Sequence, residues 1–296
     1  MMPHAVDPAG PVEPLAESAP LAWAIAPRLC PGDPQSPSGC VWYHRVWQYM
    51  RLLGVISSIR TNSAFLTRTF DGLALNHPRV LISGSADYAM LAHLWHAYAG
   101  RPLDVTVVDL CPTALYLNEW YAGRLGFRLS TVHSDALEHM TNRPYDLVCT
   151  HNFVGRFDAA ARRRLIARWA MLLRPGGVIV TTQRIRPNHP GQKNAFTADG
   201  VRELSARVVA AASAYPGSLG AGIDEIGAAA YQYALRQGGY VIRTTREITD
   251  AFEAEGFDVE LVDEGGGMPE RERDRPSSSD GTDTFRMRVV AKRRER

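Results

Sequence analysis

Three positions in this 296-residue chain carry the types and spacing of a nucleotide-like binding site. A single glycine, Gly84, opens the turn Gly84-Ser85-Ala86-Asp87-Tyr88 after the apolar run Val80-Leu81-Ile82. In an open parallel sheet a ligand settles at the carboxyl ends of the strands, and a glycine there lets the backbone approach without a Cβ clash. One glycine is too few for a pyrophosphate, whose fingerprint needs three. A nucleoside without phosphates asks for less. Asp109 ends the next apolar run, 25 residues after Gly84. It can accept from both ribose hydroxyls, each bond to a charged acceptor contributing about 1.5–3 kcal/mol; its competing use is to cap the following helix. Asp135, in Val132-His133-Ser134-Asp135-Ala136, can accept from an adenine amino group or shape a turn.

The elements that must position these groups alternate. Apolar runs at Arg79–Ser83, Val105–Val108, Ser130–His133, Leu147–Thr150 and Val178–Thr182 predict strands. Between them lie amphipathic stretches at Tyr88–Tyr98, Pro112–Leu125 and Asp158–Leu173, with Asp158 a predicted N-cap. Strands alternating with helices predict an α/β fold with a parallel sheet covered on both faces. Two alanine-rich helical stretches, Val201–Tyr215 and Gly222–Arg236, then interrupt the pattern and are expected to form a lid inserted near 197–238. Helix Glu247–Gly256, strand Asp258–Val262, a Gly-, Arg- and Ser-rich loop over 263–283 and strand Phe285–Ala291 follow.

Ahead of the sheet, residues 1–40 hold nine prolines, a density that predicts a flexible arm without a long helix. Residues 41–75 predict two helices forming a cap, and 76–296 the main domain. Trp42, Tyr43, His44 and Trp47 make an aromatic group on the first cap helix. It can pack on the sheet or turn the polar ends of Tyr43 and His44 to a pocket.

Composition narrows the class further. Lys and Arg total 33 against 31 Asp and Glu, a net charge of +2, which gives no general pull toward nucleic acid or a membrane surface. No run nears the length of a membrane span, and the N-terminus lacks the basic and apolar regions of a secretory signal. Cys30, Cys40, Cys111 and Cys149 form no CxxC pair and match no zinc spacing. No metal is expected, the compartment is expected to be the reducing cytoplasm, and a Cys30–Cys40 bridge is the alternative.

The order Val80–Tyr88, Asp109, Asp135, Tyr145-Asp146-Leu147-Val148 and Leu172-Leu173-Arg174-Pro175-Gly176-Gly177-Val178 resembles the class I S-adenosylmethionine (SAM)-dependent methyltransferase family over about half the chain. The resemblance implies a Rossmann-like seven-stranded sheet, parallel with an antiparallel last strand. It implies SAM as cofactor over the end of the first strand, bound by Gly84, Ser85, Asp109 and Asp135. Where the family carries an acid in strand one this chain has Ile82, and Ala86 and Tyr88 replace two of its glycines. Asp87 can then hold the methionine amine or cap the next helix. Tyr88 can narrow the site or offer its ring to the sulfonium. The end of the fourth strand, Cys149-Thr150-His151-Asn152-Phe153, faces the transferred methyl in such a fold. His151 is a candidate general base or a structural histidine, Asn152 can orient the acceptor or the SAM amine, and Tyr43 is the third catalytic candidate. The activity implied is methyl transfer to a small molecule, in secondary metabolism. The alternatives are cyclisation of SAM to azetidine-2-carboxylate and methylthioadenosine, or SAM binding without catalysis. Nucleic acid and membrane are not expected as partners, and the oligomeric state stays open.

Overall fold

The computed structural model describes residues 10–32, 39–56, 58–99, 101–261 and 284–295. The apolar runs become strands β1 (Arg79–Ser83), β2 (Asp104–Asp109), β3 (Leu129–His133), β4 (Tyr145–His151) and β5 (Leu173–Ile185). They are joined by helices α4 (Ala89–Ala97), α5 (Pro112–Arg124) and α6 (Ala159–Leu172). Pro112 stands at the start of α5, where its missing N–H costs nothing. The Asp158 side chain accepts from Ala161 N at 2.8 Å and caps α6. Further on come α9 (Arg246–Ala254), β8 (Phe257–Leu261) and β9 (Phe285–Arg293). The loop expected over 263–283 lies outside the described residues.

The seven strands run β3-β2-β1-β4-β5-β9-β8. The pairs among β1 to β5 are parallel, and β9 runs antiparallel to both β5 and β8. This is the Rossmann-like sheet with a reversed final strand that the resemblance implied. Alternation along each strand splits the core in two. Val80, Ile82, Val105 and Val107 pack beneath α4 and α5 with Leu91 and Leu94. Leu81, Val148 and Ile179 face the other way onto Trp169 of α6 and Phe252 of α9.

Three helices precede the sheet: α1 (Leu15–Leu29), α2 (Val41–Leu52) and α3 (Ser63–Gly72). The expectation that the proline-rich arm holds no long helix is corrected by α1, a 15-residue helix with Pro20 and Pro27 inside it. Each interior proline costs about 3 kcal/mol relative to alanine. Tertiary packing offsets that cost: Ala19, Ala22 and Ala26 are fully buried, and such small side chains let α1 lie close against its neighbours. The inserted helices are α7 (Ala198–Ser213) and α8 (Ile223–Arg236). They are bounded by a two-stranded antiparallel ribbon of β6 (Lys193–Ala195) and β7 (Gly238–Tyr240) that the sequence did not announce. A third cluster, with Val46, Tyr49 and Met50 against Val208, Ile226 and Ala230, joins α2 to the insertion.

Candidate active site

Parallel strands β1, β2 and β4 end side by side, and the turn after β1 sits among them. Gly84 adopts φ +72°, and a Cβ there would strike the ring of Phe153. Only glycine combines that left-handed conformation with that close approach. Its neighbour Ser85 donates its backbone N–H to Asp109 Oδ2 at 2.7 Å, and Cys111 donates its N–H to Asp109 Oδ1 at 2.7 Å. The two bonds hold the carboxylate at the mouth of the turn. Burial raises the Asp109 pKa, and the Ser85 amide opposes it. A carboxylate has about four acceptor positions, so two remain after these amides. The Ser85 hydroxyl turns inward, bonding to the Asp87 carbonyl and accepting from Asn118 Nδ2 at 3.2 Å; only its backbone faces the site. Asp135 shapes its own turn, Oδ1 accepting from Leu137 N at 2.9 Å.

Asp87 is engaged within the protein. Its Oδ2 accepts from Trp47 Nε1 (2.8 Å), Gln48 Nε2 (2.7 Å) and Arg51 Nη1 (2.7 Å), and its Oδ1 from Ala89 N (2.8 Å) at the start of α4. Arg51 also pairs with Glu13 at 2.5 Å, and the side chains of Arg51, Glu13 and Asp87 are only 2%, 5% and 4% exposed. The Glu13 carboxyl is raised by burial, against the pull of Arg51. With three donors on Oδ2 and one on Oδ1, most of the acceptor capacity of Asp87 is already used within the protein. Asp87 thus ties α2 to the start of α4 through Ala89 N, while the N-cap position of α4 falls on Tyr88. Tyr88 does not face a sulfonium. Fully buried, it stacks on Tyr121 at 4.6 Å and shares a hydrogen bond with Ser18 at 2.9 Å. Ser18 in turn donates to Gln48 Oε1 at 3.0 Å. The position that is glycine in the resembling family thus helps lock α1 and α2 onto the turn. Gln48 and Arg51 were not anticipated, although Trp47, Gln48 and Arg51 place three donors within about one turn of α2.

At the end of β4, Asn152 takes the left-handed φ of +51°, which asparagine tolerates better than most residues. Its Nδ2 donates to His151 Nε2 at 3.0 Å, and His151 Nδ1 meets Thr182 Oγ1 at 2.6 Å. The ring therefore accepts at Nε2 and donates at Nδ1, the neutral tautomer. Burial, then Arg286 and Arg184, hold its pKa well below the usual histidine value. Asn152 Oδ1 is buried without a hydrogen-bond partner among the described residues.

Trp47, Arg51, Gly84, Ser85, Asp87 and His151 line one cleft. Beside it, Tyr43 stacks on Trp47 with centroids 5.1 Å apart and lies 5.6 Å from Tyr233 of α8. Trp42 lies 6.1 Å from Tyr233. Cap and insertion thus meet in an aromatic wall. Burial pushes the Tyr43 hydroxyl well up, so it stays protonated. His44 packs edge-on against Tyr43 with centroids 5.1 Å apart, and its Nδ1 turns away to lie 3.3 Å from Cys111 Sγ and 3.5 Å from Cys30 Sγ.

A sheet of this order, with an acid ending β2 beneath a glycine turn after β1, is a Rossmann-like architecture. The chain has the class I SAM-dependent methyltransferase fold. It is similar to the SAM-dependent methyltransferase SibL in its apo form, with a TM-score of 0.51 and 19% identity, over 86% of this chain and 58% of that one. The chain thus spans less than two thirds of SibL. A SAM-dependent methyltransferase from Clostridium acetobutylicum gives 0.52 at 12% identity, over 83% of this chain and 96% of that one. The 4+2 cyclase SpnF gives 0.51 at 12%, over 81% and 84%. No protein-family model and no curated protein sequence matches the chain. Among the described residues no helix is long and apolar enough to cross a membrane.

Proposed function

We propose that the protein is a SAM-dependent methyltransferase acting on a small molecule, in cytoplasmic secondary metabolism. The observation that carries this reading is Asp109, held by the Ser85 and Cys111 amides at the mouth of the Gly84 turn with acceptor capacity to spare. The residues present fit SAM. Asp109 would take the ribose hydroxyls and Asp135 the adenine amino group, while the Gly84 turn admits close approach. The buried, unpartnered Asn152 Oδ1 is the acceptor offered to the methionine amine in place of Asp87. When bound, the sulfonium supplies an electrophilic methyl.

This chain's own work is to hold and enclose. His151 acts as a positioning residue: its Nε2 takes the Asn152 amide N–H and so fixes which way Oδ1 points. A neutral ring there adds no charge to repel an amine. Tyr43 and Tyr233, packed on the Trp47 that lines the cleft, would bound the acceptor side, and alignment with exclusion of water can supply about 7–11 kcal/mol of the barrier. The four free cysteines suit a reducing compartment.

The fold alone does not fix methyl transfer, and the structural neighbour SpnF is a cyclase. The test is incubation with SAM, with and without candidate acceptors, followed by mass spectrometry. Acceptor-dependent S-adenosylhomocysteine supports the proposal. Methylthioadenosine from SAM alone replaces it with cyclisation. Tight binding without turnover replaces it with a binding protein.

A further inference from the structure

Three thiols and one imidazole, spread over 82 positions of sequence, converge at one buried point. Cys30 follows α1, Cys40 caps α2, His44 lies in the first turn of α2 and Cys111 caps α5. Their ligating atoms all lie within 4.8 Å of one another. Cys111 Sγ is 3.6 Å from Cys30 Sγ, 3.4 Å from Cys40 Sγ and 3.3 Å from His44 Nδ1, and Cys30 Sγ is 3.5 Å from His44 Nδ1. Around a tetrahedral zinc with Zn–S about 2.3 Å and Zn–N about 2.0 Å, the S···S edges are about 3.8 Å and the S···N edges about 3.5 Å. These four of the six edges match that tetrahedron within a few tenths of an ångström, and the remaining two, from Cys40 to Cys30 and to His44, are within 4.8 Å.

We propose that Cys30, Cys40, His44 and Cys111 form a structural zinc site. The expectation of no metal rested on linear spacing, and this site is assembled by the fold across α1, α2 and α5. The chemistry of the donors selects the ion: three soft thiolates and an imidazole in tetrahedral array suit zinc. The surroundings favour thiolates. Cys40 and Cys111 occupy the N-cap positions of two helices, whose positive ends stabilise anionic sulfur. Thr113 Oγ1 lies 3.2 Å from Cys30 Sγ and can donate to it, as groups around metal ligands do. Cys30, His44 and Cys111 are at most 7% exposed, and four protein ligands leave no open position. The ion is therefore a clamp and not a catalyst.

What it clamps is specific. Three ligands, Cys30, Cys40 and His44, belong to the arm and the cap, and the fourth, Cys111, stands two residues beyond Asp109, donating its N–H to that carboxylate. Zinc ties the N-terminal helices to the end of β2. Any effect on SAM affinity rests on the function proposed above; metal content is read without SAM.

The test uses the full chain purified under reduction. Mass spectrometry of elements should find about one zinc per chain, the stoichiometry of a four-ligand structural site. Replacement by cobalt should give the intense visible bands of tetrahedral thiolate-bound cobalt. Cys40→Ser and His44→Ala should each weaken or abolish that spectrum, and Cys149→Ser, outside the cluster, should retain it. Chelation of the wild type should lower its melting temperature, and added zinc should restore it. A folded, reduced chain that contains no zinc and takes up neither zinc nor cobalt overturns the site. So does a Cys40–Cys111 disulfide in chain purified without metal under the same reduction. Because the cobalt spectrum and the chelation test use the wild type, misfolding of a variant does not rescue the proposal.

Discussion

Removing the Arg51 guanidinium would leave two buried carboxylates facing each other with no cation between them. Arg51 contacts Asp87 at 2.7 Å and Glu13 at 2.5 Å, and none of the three side chains is more than 5% exposed. At an effective dielectric of 20, one contact of that length is worth about 6 kcal/mol before desolvation is subtracted. Stripping one partner from a buried pair costs about 3–5 kcal/mol net. Arg51→Ala should therefore lose about 3–5 kcal/mol, or on the order of 10 °C in melting temperature for a chain of this size. Urea titration at pH 8 reads the loss. The deficit should shrink at pH 5.5. Burial already raises the Glu13 carboxyl against the pull of Arg51; without Arg51 the folded variant binds a proton there that the unfolded chain does not, and it recovers stability as pH falls. In a Glu13→Gln background the same substitution should cost at least about 1 kcal/mol less, because one stranded charge is gone. A loss under about 1 kcal/mol, independent of pH, would show that water reaches the triad and refute the reasoning.

Asp109→Ala should weaken SAM binding by about 2–4 kcal/mol, the loss of two charge-assisted hydrogen bonds; calorimetry on the folded variant checks it. Stability should decline below about pH 6.5, because burial holds His93 down at about 3 and His151 well below the ordinary value, so the unfolded chain takes up protons that the folded one refuses. Each such histidine contributes a slope of up to about 1.4 kcal/mol per pH unit, and His93→Leu should flatten the curve measured by denaturant titration. Deleting residues 1–40 removes Glu13, Ser18, Cys30, Cys40 and the whole of α1. It should expose α2, increase dye binding to apolar surface and lower the melting temperature, where a dispensable arm would leave both unchanged.

The sheet was legible because its signals are local. Val80-Leu81-Ile82, Val105–Val108 and Pro112 each announce an element within a few residues, and the Asp109 position follows from counting strands. What escaped depends on contacts between distant segments. Proline density argued against a helix over 15–29, and only burial against α2 and α5 overrides that local cost. Asp87 looked available because its three partners from α2 lie 36 to 40 residues away in sequence. Tyr88 read as a site residue because a glycine stands there in the resembling family, yet Tyr121 and Ser18 draw it into the core. The four metal-ligating residues have no linear motif at all, since their approach is set by how three helices pack.

The place of β9 in the sheet bears on how the chain comes off the ribosome. β9 lies between β5 and β8 and is hydrogen-bonded to both, yet it is made after β8. Strands β1 to β5 can pair in the order in which they emerge. From then until residues 285–293 are available, the outer edge of β5 is an open row of amides and carbonyls beside Val178, Ile179 and Val180, and β8 has no partner in the sheet. At about 5–20 residues per second, synthesis from Leu261 to Arg293 takes a few seconds, long beside the microseconds in which strands can zip. During that window two nascent chains on one polysome can pair edge to edge, or a β8 from one chain can be captured by another. Slow translation between β8 and β9 would lengthen that window, and chaperone occupancy there would protect the open edge.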